Sequence, residues 1–313
     1  MGKFQNKAVE GLIATYFMLN ENILLVGPSG TGKTMVILEK SREAGRHVEV
    51  ITGKEGLQDL DMLGAPVPTE EAGKYKWVDG PLARAFRMAS EGRPVTLLVD
   101  EVNRMPSKFQ NLFIEAINIY DDDFYVVQNH LRGETLKAPR DKIQFVATAN
   151  VGQAGLNEIP LALVDRFNIV YVGYPDKNTE LKILKETGLD EDIAKALVVF
   201  AEKTREMAEQ MDLACGVSTR SLVRVAKQVR QLNLPSSQKV VDILKVLMQS
   251  PIAQAAGVCE ALDWKERATG LMQQFETILR NNLGGKAKER EEEIPLRPSR
   301  GRRAGVGASP VAI

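Results

Sequence analysis

The stretch ILLVGPSGTGKT, residues 23–34, decides the fold of this chain. Four apolar residues run into a loop of glycines and hydroxyls that ends on a lysine. A short apolar run closed by Gly27 and Pro28 reads as a buried strand over 22–26. Helical periodicity resumes at Thr34 and carries to Ala44, where Gly45 is placed to stop it. Between strand and helix the loop fits G-x-x-x-x-G-K followed by Ser or Thr, with Gly27, Gly32, Lys33 and Thr34 in the diagnostic positions and Pro28, Ser29, Gly30 and Thr31 between them. Glycines there let backbone N–H groups close around phosphate oxygens, and the start of the helix adds its positive end. Lys33 reaches outer phosphates, and the Thr34 hydroxyl can ligate Mg2+.

Outward from this loop the same pattern repeats. Apolar runs at 47–52 (HVEVIT), 95–100 (VTLLVD), 143–150 (IQFVATAN) and 169–174 (IVYVGY) read as strands, with helices between them at 81–90 and 107–118. Pro81 sits at a first-turn position, where its missing N–H costs nothing. Alternation of short buried strands with helices predicts an α/β fold, a parallel sheet covered on both faces. Residues 57–80 are less regular and read as an insertion, and 125–138 as a hairpin. After Pro175 only helical periodicity remains, to Leu283. The expected organisation is therefore an αβα domain over 1–175, an all-helical domain over 176–283, and a disordered basic tail over 284–313, where glycine, proline and charge dominate.

Totals narrow the function. The 313 residues carry 41 Lys and Arg against 41 Asp and Glu, a formal charge of zero. That balance argues against a dedicated nucleic-acid coat. Two cysteines, Cys215 and Cys259, are too few for a disulfide framework or zinc site and read as reduced thiols in helices. His47 and His130 lack partners at metal-ligand spacing. The amino terminus lacks a signal-peptide core, and no apolar run approaches the roughly 18 residues of a membrane helix. The expectation is a protein in the cytoplasm, not in a membrane.

Three further groups converge on the loop. LLVDEVNR ends a strand abruptly on Asp100 and Glu101, at the sheet edge where ligands bind in such folds. Asp100 can hold the magnesium through its water shell, and Glu101 is free to act as general base on water. Asn150 ends the strand at 143–150 at the same edge. Arg166 precedes the last strand, and two readings stand on spacing alone: a local pair with Asp165, or stabilisation of charge on a transferring phosphoryl group, including one held by a neighbouring subunit.

GPSGTGKT, LLVDEVNR, ATAN and LVDRF, in that order, resemble the AAA+ ATPases. DEVNR followed by the hairpin and DRF resembles the MoxR branch, which includes the CbbQ/NorQ type and gas-vesicle relatives. The resemblance implies that Lys33 and Thr34 belong to Walker A and that Asp100 and Glu101 belong to Walker B. It makes Asn150 sensor 1 and Arg166 an arginine finger acting on the neighbour's nucleotide. Segment 57–80 matches the branch's helix-2 insertion. Arg220, in VSTRSL, matches the sensor 2 arginine, although the chain carries Thr219 where the branch often has proline. The helical domain becomes a lid over MgATP, and the working form a homo-oligomer, a hexameric ring.

The function so implied is ATP hydrolysis coupled to remodelling, assembly or activation of a client protein complex, with a von Willebrand factor A domain protein as a partner. The alternatives are an McrB-like NTPase acting on nucleic acid, to which Arg132, Lys137 and the arginines of the tail would be suited, a small-molecule kinase, or a nucleotide-switched scaffold. Zero net charge counts against the first, and the carboxylate of Glu101 against the other two.

Overall fold

The computed structural model describes residues 7–117, 123–151, 156–232, 237–258 and 261–292. In the amino-terminal half α1 (Lys7–Met18), β1 (Ile23–Gly27), α2 (Lys33–Glu43) and β2 (His47–Thr52) are followed by α3 (Asp59–Leu63), β3 (Gly64–Pro68), β4 (Tyr75–Asp79) and α4 (Pro81–Ser90). Then come β5 (Val95–Asp100), a single 3-10 turn Val102–Arg104, α5 (Ser107–Ala116), β6 (Phe124–Asn129), β7 (Glu134–Pro139), β8 (Ile143–Asn150), α6 (Leu161–Val164) and β9 (Asn168–Tyr171). The rest is helical: α7 (Lys177–Glu186), α8 (Glu191–Glu209), α9 (Thr219–Gln231), α10 (Ser237–Ala255) and α11 (Trp264–Glu292).

Five strands form one parallel sheet in the order β2-β5-β8-β1-β9. Every position of β8 is buried, because it is a central strand with helices on both faces. One core, around Phe86, Phe109, Phe113 and Phe145, packs α4 and α5 onto one face. A second, around Ile13, Phe17, Val36 and Ile37, packs α1 and α2 onto the other. The α/β class read from the sequence is thus the observed one.

Two antiparallel hairpins stand apart from this sheet, β3–β4 and β6–β7. Residues 57–80 hold the first of them together with α3. Ion pairs join the hairpins through α4: Arg87 reaches Asp79 at 2.7 Å and Glu134 at 2.5 Å.

The helical region has its own core, with Phe200 and Phe275 edge to face at 5.1 Å between centroids. Three of its helices start on side-chain caps, Asp176 for α7, Asp190 for α8 and Ser218 for α9, which satisfy otherwise orphaned N–H groups. Helical backbone in α11 continues to Glu292, past the Gly284 at which a disordered tail was expected to begin; 293–313 lie outside the described residues. Cys215 also departs from expectation. It lies in the non-helical segment between α8 and α9, and Cys259 is outside the described residues.

Candidate active site

The site grows from the turn that joins β1 to α2. Gly30 and Gly32 adopt φ of 78° and 93°, a left-handed conformation that side-chain-bearing residues rarely hold. Gly32, at the start of α2, offers no side chain to cap it, which leaves the first N–H groups of the helix suited to an anion. Gly27 is required for a different reason. A Cβ there would lie 2.1 Å from the carbonyl oxygen of Val172, the residue just past β9.

Lys33 folds back over the loop. Its Nζ donates to the carbonyls of Gly27 and Pro28, both at 2.8 Å, and to Asn150 Oδ1 at 2.9 Å. Burial pushes the Lys33 ammonium down to about 8; Asp100 and Glu101 oppose that shift and Arg220 adds to it. The adjoining Thr34 donates to Asp100 Oδ1 at 2.9 Å. Thr148 donates to the same oxygen at 2.7 Å and accepts from the Glu101 N–H at 2.8 Å. Thr34 and Asp100 are thus two hard oxygen donors held together. This suits Mg2+, which binds through one or two protein oxygens with phosphate and water completing its shell.

Glu101 occupies a tight turn, with φ 56° and ψ 51°, unusual for a residue with a side chain. Gly53 makes room for it: a Cβ at Gly53 would come 2.0 Å from the Glu101 carbonyl oxygen. Both carboxylate oxygens are engaged, Oε1 by Asn150 Nδ2 at 2.8 Å and Oε2 by Arg104 Nη1 at 3.0 Å. Asn150 therefore bridges Lys33 and Glu101. Its amide orientation follows from its partners, since Lys33 has only donors and the carboxylate only acceptors. Asn103 clamps Asn150 in turn, donating to its carbonyl at 2.7 Å and accepting from its N–H at 3.4 Å.

Of the residues singled out in the sequence, Gly27 through Thr34, Asp100, Glu101 and Asn150 come together at the carboxyl edge of the sheet. Arg220 stands in the first turn of α9, exposed, with its Cβ 3.4 Å from where a Gly30 Cβ would be. Arg166 does not join them. It precedes β9, whose first residue Asn168 pairs with Ile23 at the other end of β1. From Ile23 to Gly27 is four residues, about 13 Å at ~3.3 Å each. The Arg166 guanidinium donates instead to the carbonyl of Ala162. Thr148, Asn103, Arg104 and Gly53 were not identified from the sequence. A cleft of about 930 Å³ opens beside the loop, between Pro28 and Ser29 on one side and Tyr174, Val217, Ser218 and Ser221 on the other.

A strand–loop–helix phosphate cradle at a sheet edge, with two carboxylates, an amide and a helical cover beside it, defines the class: a P-loop nucleotide-binding ATPase domain. Comparison with known proteins agrees. The family model for the AAA domain (dynein-related subfamily) matches residues 22–167, and that for the CbbQ/NirQ/NorQ C-terminal region matches 180–263. The chain is 30% identical over 211 residues to Protein NorQ of Paracoccus denitrificans, covering 67% of this chain and 73% of that one. It is 24% identical over 264 residues to Gas vesicle ATPase GvpN2 of Halobacterium salinarum, with 79% and 73% covered. Gas vesicle ATPase GvpN of Haloferax mediterranei is 25% identical over 272 residues, with 82% and 75% covered. The chain belongs to the MoxR-type AAA+ ATPases, with the CbbQ/NirQ/NorQ form of carboxyl-terminal region.

Proposed function

We propose that this chain hydrolyses ATP with Mg2+ in a homo-oligomeric ring, a hexamer in the simplest case, and uses the cycle to remodel, assemble or activate a client protein complex. The observation that carries the catalytic part is the Asn150 bridge between Lys33, on the phosphate side, and Glu101, on the water side. Bound Mg2+ would supply charge neutralisation at the phosphates, held by the Thr34 hydroxyl directly and by Asp100 through the ion's water shell. Lys33 leaves its carbonyl partners for the outer phosphate oxygens. Glu101 accepts a proton from the attacking water while Asn150 holds that carboxylate in place. Arg220, from the lid, meets the growing negative charge.

The remaining cation comes from outside. Arg166 stands at the far edge of its own sheet, beyond the reach of its own pocket, and in this reading it completes the neighbour's. Loss of such an arginine costs on the order of 10³ to 10⁵ in rate in related chemistries. The names of two relatives, each a Gas vesicle ATPase, support an ATPase that serves a larger assembly. A von Willebrand factor A domain protein fits as the adaptor. The nucleic-acid alternative draws little from the hairpin: Arg132 lies 3.6 Å from Asp79 and 3.7 Å from Glu134, and packs over Trp77. Among the described residues no helix is long and apolar enough to cross a membrane; the proposed location is the cytoplasm.

Glu101→Gln tests the catalytic part. It should bind ATP as the parent does and turn over about 10² to 10⁴ times more slowly, the range for loss of a general base; parental turnover would remove Glu101 from that role. Held in ATP, the same variant should retain the client in a pull-down. No enrichment over an ADP-held control would contradict the remodelling part.

A further inference from the structure

Beneath the first turn of α9 lies a buried polar cluster that the nucleotide reading does not use. Glu180 of α7 is 0% exposed and Arg205 of α8 is 8% exposed. They meet as a two-pronged pair, Nη1 to Oε2 at 2.9 Å and Nη2 to Oε1 at 2.8 Å. Among the described residues, the further side-chain hydrogen bonds of this pair run to one short segment. Arg205 Nε donates to the Val217 carbonyl at 3.0 Å, and Thr219 Oγ1 donates to Glu180 Oε1 at 2.7 Å. Next to them the Val217 N–H donates to Thr204 Oγ1 at 3.0 Å. Gly216 is pressed so close that a Cβ would come 2.5 Å from Arg205 Cγ. The ring of Tyr174, at the junction of the two domains, stacks 4.0 Å from the same guanidinium.

The braced segment has a second side. Ser218 caps α9 and faces the phosphate loop, where a Cβ on Gly30 would come 2.8 Å from Ser218 Cβ. Stability alone is a poor account of this cluster. A buried ion pair rarely outperforms a well-packed apolar pair of equal volume, whereas its fixed geometry specifies one arrangement. What it specifies here is where 216–219 lie, and so where the next residue, Arg220, projects.

We propose that Glu180, Arg205 and Thr219 are positioning residues that fix the start of α9 so that Arg220 is presented to the phosphate end of the pocket. This rests on the role given to Arg220 above. Thr219 contributes the hydroxyl that closes the cluster, which a proline at that place could not do.

Thr219→Val removes the hydroxyl and keeps the branched shape. Misplacing a catalytic group by about 1 Å can cost as much as 10² in rate, so kcat should fall on the order of tenfold while KM for ATP holds. Thr219→Ser should restore it. Arg205→Lys, which keeps the charge but loses the fork and the bond to Val217, should behave as Thr219→Val does. In an Arg220→Ala background neither substitution should slow turnover further, beyond about twofold, because residues acting through one group are not additive. Equal losses in both backgrounds, or a drop in kcat that Thr219→Ser does not rescue, would overturn the positioning role and leave the Arg220 reading standing. Parental turnover by Arg220→Ala would overturn the role of Arg220 and the positioning together.

Discussion

Asn150 stands between Lys33 and Glu101, its Oδ1 2.9 Å from the lysine Nζ and its Nδ2 2.8 Å from the glutamate Oε1. The bridge joins the end of β8 to the start of α2 and to the turn after β5, three segments far apart in sequence. Its charge pattern runs from ammonium through amide to carboxylate, so each partner is satisfied by the group it meets.

Asn150→Ala removes that bridge without adding charge. Glu101 keeps Arg104, and Lys33 keeps the Gly27 and Pro28 carbonyls, so the fold and ATP binding should survive. We expect kcat to fall on the order of 10²-fold, the loss typical of one preorganised polar group. Steady-state kinetics should place the loss in kcat; a rise in KM with unchanged kcat would mean that Asn150 only holds nucleotide.

Lys33 gives the site a pH dependence. Burial lowers it from its ordinary 10.5 to about 8. The unfolded chain therefore binds more protons between those values, and this group makes stability rise with pH across that window, its penalty being fully present below about 8. Phosphates favour the charged ammonium, so ATP binding should take up a proton where free Lys33 is neutral, and affinity should weaken as pH climbs past about 8. Titration calorimetry at about pH 8.5 in buffers of different ionisation enthalpy should register net proton uptake. Equal heats in all buffers would contradict the account.

Gly53 is expected to be intolerant of a side chain. Its Cβ would meet the Glu101 carbonyl oxygen at 2.0 Å, both of them backbone-anchored. Gly53→Ala should destabilise by about 1–3 kcal/mol, as overpacking does, and should slow hydrolysis by shifting the Glu101 turn. Thermal denaturation and turnover, measured on one preparation, check this; parental values of both would mean that the turn yields freely.

Much of this site is readable in the sequence because the phosphate loop is local. Glycines, lysine and threonine sit at fixed offsets, and the strand before and helix after are legible from periodicity. Asp100 and Glu101 are visible because charge interrupts an apolar run. Thr148 is not, since a β-branched residue in a strand buried at all eight positions looks like core. Its role exists only through the alignment of β5 with β8. Asn103 and Arg104 look like turn residues until Asn150 and Glu101 are placed beside them. The Glu180–Arg205 pair spans 25 residues and two helices, and nothing in either helix advertises the other. The sequence also left two readings for Arg166. Pairing of Asn168 with Ile23 puts it at the edge of the sheet opposite the loop, which local spacing does not encode.

The central claim is that one copy completes its neighbour's pocket. Lys33→Ala and Arg166→Ala chains, each expected to be inactive alone, should regain turnover when mixed into common rings, because a Lys33→Ala subunit still offers Arg166 to an intact pocket next door. ATP hydrolysis by the mixture well above the sum of the two separate preparations is the predicted result. Turnover no greater than that sum, in mixed rings demonstrated by mass, would contradict it.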